Sequence, residues 1–215
     1  NDYDAVLISS DGYIQPPSTL TQVFHTKQVK TLARHHVTHA ASAFYQSPFD
    51  RALIISYDGG GDDGHFNVYS ANEEGVSLVE NIPSDFGGGY LLAGSMIKEV
   101  AESSRHQLAL AGKMMGLCAY GSIIEAHVKP FKDFYFDRDY RKLAERTKLP
   151  LKNLDNPWEN PLKNWVFEGK GGFDVAATAQ AAFEYAVFGI LDQYDPDIPL
   201  IVTGGCGLNV LVNEK

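Results

Sequence analysis

The stretch RALIISYDGGGDDGHF, residues 51–66, constrains the fold more than any other. Its apolar run is short, carries two isoleucines and is closed by an aspartate and three consecutive glycines. It therefore reads as a buried strand that stops at Asp58. The segment that follows, HFNVYSANEEGVSLVENIP, alternates like two further strands joined at Asn72 to Gly75, which predicts three antiparallel strands in succession.

Two short runs near the start, DAVLISS and VKTLA, are also strand-like, and the second leads into a helix predicted from about His36 to Tyr45. From Gly89 onward the spacing of apolar residues turns helical in YLLAGSMIKEVAES and HQLALAGKMMGLCAYG, with Gly121 as a stop for the second. KPFKDFYFDRDYRKLAERTKLP carries seven Lys and Arg against four Asp and Glu, and LDNPWENPLKNW is rich in Pro, Asn and Trp. Together they predict an irregular insertion or boundary over 122–171, with the charges as a solvated helix face. FDVAATAQAAFEYAVFGILDQ combines Ala-rich propensity with apolar periodicity and is the strongest helix prediction. IPLIVTGG then reads as a buried strand ending in a glycine pair, and LNVLVNEK opens another helix. A strand meander, then helices, then a further strand predicts an α/β domain with a mixed sheet flanked by helices.

The chain has 215 residues, 44% of them hydrophobic, which suffices to bury a full core. A net charge of −9 argues against a bulk electrostatic grip on nucleic acid or an anionic membrane. Cys118 and Cys206 stand far apart with no metal-ligand spacing, so a reducing cytoplasm is the expected compartment. No apolar run approaches the roughly 20 residues of a membrane span.

HHVTHA, residues 35–40, holds three of the seven histidines. Residues four apart share a helix face, so His35 and His39 would grip one cation if the helix begins at or before His35, and His36 would point elsewhere. The alternative is a set of capping or surface histidines. Asp58, carried to the end of the apolar strand, is the candidate carboxylate partner, with turn initiation as its plainer role. Asp62, Asp63 and His65 suit either.

DGGGDDG has the backbone freedom to wrap a phosphate, and TGGCGLN places two glycines between a strand and a helix N-terminus, where free amides attract anions. A tight hairpin and close packing are the competing explanations. Lys113, within GKMMGLCAYG, is a point charge suited to a phosphate or carbonyl oxygen. Met114, Met115 and Leu117 read as core.

HHVTHAASAFYQSPFDRALIISYDGGGD, GKMMGLCAYG, FDVAATAQAAFE and IVTGGCGLN together resemble the successive signatures of the nodulation-type and antibiotic-tailoring O-carbamoyltransferases, which are similar in turn to the tRNA threonylcarbamoyl-adenosine synthases. The resemblance covers roughly residues 30–121 and 172–213. It implies an actin-like, ribonuclease-H-like ATPase fold of two α/β lobes with a nucleotide between them, residues 30–121 forming the metal and nucleotide lobe and 172–215 opening the second.

It further implies an iron or zinc ion on His35, His39 and Asp58, acting as a Lewis acid on the group transferred. Gly59, Gly60, Gly61, Asp62, Gly204, Gly205 and Asn209 match the ATP-contacting segments. Lys113, in a catalytic role, and Gly116, Tyr120 and Gly121, as substrate contacts, match the segment lining the transfer site, with CAYG standing where the family has APYG. The reaction implied moves a carbamoyl group from carbamoyl phosphate, through a carbamoyl-adenylate, to a hydroxyl of a small acceptor. Activation of carbamoyl phosphate would belong to a C-terminal domain, and a fourth ligand, an aspartate, would follow the glycine pair outside these 215 residues. The chain is expected to be the central part of an N-terminal domain, incomplete as a catalyst by itself. Two other classes remain: a metal-dependent hydrolase, which lacks the glutamate of HExxH because Val37 and Thr38 fill the gap, and a non-catalytic nucleotide-binding module of the same fold.

Overall fold

A computed structural model of the chain describes residues 34–149 and 165–215, together with residue 26 and the strands at 6–9 and 29–32. The Pro-, Asn- and Trp-rich stretch lies almost wholly outside the described residues. The chain divides into two compact units, one of Asn1–Pro83 with Ile198–Gly205, the other of Ser84–Asp197 with Cys206–Lys215.

In the first unit β1 (Val6–Ser9) and β2 (Val29–Leu32) pair in parallel as a two-stranded sheet. The main sheet is built on β3 (Ala52–Tyr57), which is buried at every position, as its unbroken apolar run predicts. β4 (Phe66–Asn72) and β5 (Gly75–Asn81) follow it antiparallel, and β6 (Leu200–Thr203) joins the free edge of β3 in parallel, giving the order β5-β4-β3-β6. The predicted turn at Asn72 to Gly75 forms: the Asn72 carboxamide oxygen accepts from the Glu74 amide at 2.8 Å, and Gly75 takes φ of +127°, where a side chain would be strained. The expected mixed α/β sheet is therefore present. Helix α1 (His35–Tyr45) lies across one face of it. Its buried stripe, His36, Ala40 and Phe44, recurs every four residues. Ala40 and Phe44 pack with Ala52, Ile54, Tyr69, Ala71 and Ile201 into one apolar cluster.

The second unit is helical: α2 (Phe86–Ser95), α3 (Lys98–Ser103), α4 (Ala109–Leu117), α5 (Glu125–Asp137), α6 (Tyr140–Thr147), α7 (Gly169–Leu191) and α8 (Val210–Asn213). The charged stretch, expected to be an irregular insertion or boundary carrying a solvated helix face, forms two regular helices, α5 and α6. Its aromatic residues explain this, because Phe131, Phe134 and Tyr135 recur at spacings of three and one on one face, and all are buried. Tyr135 stacks on Phe86 with ring centroids 5.5 Å apart and meets Phe183 edge-on, while its hydroxyl donates to the Ala179 carbonyl at 2.9 Å. Met114 is fully buried, as predicted, whereas Met115 and Leu117 are only partly so. Gly121 follows a 3-10 turn, Cys118–Tyr120, with extended rather than left-handed backbone. Glycine is required there by proximity: a Cβ would lie 1.9 Å from the Phe173 carbonyl oxygen. Among the described residues no helix is long and apolar enough to cross a membrane.

Ile54, with no exposed surface, sits in the apolar cluster under α1. Ile54→Ala is expected to lower unfolding stability by about 2–5 kcal/mol with an unchanged denaturant slope, read from urea unfolding.

Candidate metal centre

Helix α1 begins at His35, one residue earlier than its periodicity predicts, and so includes both histidines of the H-x-x-x-H pair. A helix start leaves its first amides without partners. Arg34, at the cap position, makes no side-chain cap. The loop after β3 supplies the missing acceptors: Asp62 Oδ1 accepts from the His35 amide at 2.7 Å, and the Asp63 carboxylate accepts from the His36 and Val37 amides at 3.0 and 3.4 Å. Two negative charges thus sit at the positive end of the helix dipole. Asp63 is itself fixed by β4 and β5, its carbonyl accepting from the side-chain amides of Asn67 and Asn81.

The other end of the frame is Asp58. Its Oδ1 accepts from the Gly59 amide at 2.7 Å and its Oδ2 from the Gly205 amide at 2.9 Å. The glycine pair makes that approach possible. Gly204 has φ of +89° and would place a Cβ 2.4 Å from the Tyr57 carbonyl oxygen, and a Cβ on Gly205 would lie 2.6 Å from Asp58 Oδ1. Burial opposes ionisation of Asp58, but the Gly205 and Gly59 amides and the His35 ring outweigh it and hold the carboxyl below the usual carboxylate range.

Onto this carboxylate the two imidazoles converge. His35 Nε2 lies 3.3 Å and His39 Nε2 3.6 Å from Asp58 Oδ2. The three ligand atoms all fall within 4.8 Å of one another, and all three side chains are partly exposed. Ligands at about 2.0–2.1 Å from a tetrahedral ion stand about 3.3 Å apart, so this set of two imidazole nitrogens and one carboxylate oxygen fits a divalent ion such as zinc or iron with small adjustments.

His36 points the other way, as expected, but it is not idle. Its ring is fully buried, Nε2 lies 3.0 Å from the Gly64 carbonyl and Nδ1 2.9 Å from Ser56 Oγ. A carbonyl only accepts, so Nε2 carries the proton and Ser56 donates to Nδ1. Burial lowers its pKa, the Gly64 carbonyl partly opposing, which keeps the ring neutral. Sequence reasoning overlooked His36, Ser56 and Asp63 as supports. The buried spacing of His36 with Ala40 and Phe44 is the signal that identifies the first.

The remaining predicted residues have varied places. Gly59 and Gly60 have open space where a Cβ would be, and Gly61 lies against the His36 ring. Lys113, Gly116, Tyr120, Gly121 and Asn209 belong to the second unit. There Lys113 Nζ donates to the Ser103 carbonyl, Gly116 is open, and Tyr120 is three-quarters exposed beside Phe173. Asn209 is buried, caps α8 by accepting from the Val212 amide, and exchanges two hydrogen bonds with Gln180.

Residues 15–215 match the family described as the carbamoyltransferase N-terminus. The chain belongs to that family. It is similar to nodulation protein NolNO of Sinorhizobium fredii, 29% identical over 195 residues that cover 84% of this chain and 26% of that protein. It is also similar to nodulation protein U of Bradyrhizobium diazoefficiens, 26% identical over 202 residues that cover 83% of this chain and 35% of that protein. This carbamoyltransferase N-terminal chain therefore spans about a quarter to a third of the relatives it matches.

The depressed Asp58 carboxyl has a consequence for metal-free protein. A lowered folded pKa stabilises in full above the unfolded value of about 3.9 and is lost as pH falls through the folded value. The part of the stability gap between wild type and Asp58→Asn that comes from the Asp58 carboxyl is expected to be lost as pH falls below about 4, measured as urea midpoints across an acid series.

Proposed function

We propose that this chain is part of a metal- and ATP-dependent O-carbamoyltransferase with an actin-like ATPase fold, and that His35, His39 and Asp58 hold its iron or zinc ion. The observation that carries the reading is the convergence of two Nε2 atoms on one carboxylate oxygen, at 3.3 and 3.6 Å, within a family of carbamoyltransferases.

When bound, the ion supplies Lewis acidity toward phosphate and carbamoyl oxygens. The chain's own residues prepare the place for it. Asp58 is held ionised by two backbone amides, and α1 presents His35 and His39 on one face. Nothing stands within 4 Å of where a Cβ of Gly59 or Gly60 would be, which leaves room beside the loop for the phosphates of ATP. Lys113, Gly116, Tyr120, Gly121 and Asn209 serve the nucleotide and acceptor in the whole protein.

The overall chemistry balances in three exchanges. Water attacks the carbamoyl carbon of carbamoyl phosphate and phosphate departs, leaving carbamate, a step that this reading gives to a C-terminal domain. The carbamate oxygen displaces pyrophosphate from the α-phosphorus of ATP. The acceptor hydroxyl then attacks the carbamoyl carbon and releases AMP, its proton passing to solvent.

In the full-length protein, pyrophosphate release is expected to require ATP and carbamoyl phosphate together. His39→Ala is expected to lose bound metal and to slow that release at least about 100-fold. Elemental analysis and a coupled pyrophosphate assay check both. Full turnover by metal-depleted His39→Ala would defeat the reading.

A further inference from the structure

Between the two proposed ligands of α1 stands a third histidine whose ring faces the protein interior. His36 has no exposed surface, and both of its nitrogens are engaged with backbone or side-chain groups of the first unit. We propose that His36, through Ser56 and Gly64, is the positioning residue that sets the rotation and height of α1 so that His35 and His39 meet Asp58. This rests on the metal-centre reading above and assigns His36 no contact with the ion.

The geometry of three anchors supports it. Ser56 lies on β3 two residues before Asp58, and β3 is hydrogen-bonded on both sides: Ser56 is in register with Asn67 on β4 and Thr203 on β6. The Ser56 to His36 bond therefore ties the helix to the strand that carries the carboxylate. Gly64 belongs to the loop whose Asp62 and Asp63 cap the same helix, so the Nε2 bond closes that loop over the helix start. The third anchor is steric. A Cβ on Gly61 would lie 3.0 Å from His36 Cδ2 and 3.1 Å from Nε2, so a side chain there would press the ring out of its present position by a few tenths of an ångström.

Consecutive helix residues point about 100° apart. A ring held at His36 thus fixes the direction of His35 before it and, one turn on, of His39. Without it the caps still hold the first amides and Ala40 and Phe44 still pack against the sheet, but the first turn of α1 loses its side-chain hydrogen bond to β3. Residues that orient metal ligands without touching the ion characteristically alter affinity by about 10–100-fold when removed.

Cobalt(II) is the probe, because its visible absorption reports coordination geometry as well as occupancy. Four variants of the full-length protein are compared: His36→Phe, which keeps a ring but no polar atom; His36→Gln, whose amide carries both a donor and an acceptor; Ser56→Ala; and His39→Ala. The expected result is a cobalt affinity about 10–100-fold weaker in His36→Phe and at least several-fold weaker in Ser56→Ala, each with an altered spectrum at saturation, and substantial recovery of both in His36→Gln. A residue needed only for stability would lower the melting temperature of the metal-free protein yet leave the saturated spectrum unchanged. If His36→Phe does not fold, Ser56→Ala and His36→Gln decide the matter. Wild-type affinity and spectrum in Ser56→Ala and His36→Phe, with binding lost in His39→Ala, overturn the role of His36 alone. Full cobalt binding in His39→Ala removes the metal centre itself, and the role of His36 with it.

Discussion

A helix that starts at His35 begins with amides that its own turn leaves without acceptors, and everything at this site follows from where those acceptors come from. They come from across the sheet. Asp62 and Asp63, in the loop after β3, reach back to the first three amides of α1. Capping residues ordinarily belong to the helix they cap. Here the cap belongs to the segment that also delivers Asp58, so the helix cannot start without placing its histidines near that carboxylate. One set of hydrogen bonds satisfies the helix end and assembles the site.

The same economy governs the glycines. A loop of three glycines and a glycine pair after a strand both invite a phosphate-binding interpretation, since each offers free amides. Their steric surroundings divide them. Gly61, Gly204 and Gly205 are small because His36, the Tyr57 backbone and the Asp58 carboxylate occupy the space a side chain would need. Gly59 and Gly60 meet nothing within 4 Å. Packing therefore accounts for the first group and leaves the second available to a ligand, a distinction that composition by itself does not make.

The elements of the first unit were legible because each declared its period: β3 by an unbroken apolar run, β4 and β5 by alternation around a short turn, α1 by residues four apart. That His35 and His39 face the same way was legible for the same reason, since i and i+4 on a helix must share a face. What escaped was set by contacts between distant segments. Asp63 reads in sequence as one more turn former, and its grip on α1 depends on a chain reversal of 26 to 27 residues. The buried face of α5 and α6 escaped because their charges dominated a window in which Phe131, Phe134, Tyr135 and Leu143 decide the structure. Lys113 was legible as a charge beside glycines, but its partner, the Ser103 carbonyl, lies at the end of a different helix.

The bonding of Asp58 also limits how a cation would be held. A carboxylate oxygen has two lone-pair directions. Oδ2 spends one on the Gly205 amide and faces both imidazoles with the other, whereas Oδ1 is turned toward the Gly59 amide. Oδ2 is the oxygen nearest both rings, and a cation held through it would leave the Gly205 and Gly59 bonds in place. A cation held there would meet a carboxylate already ionised at neutral pH, and its affinity would then depend on how well α1 holds the two rings.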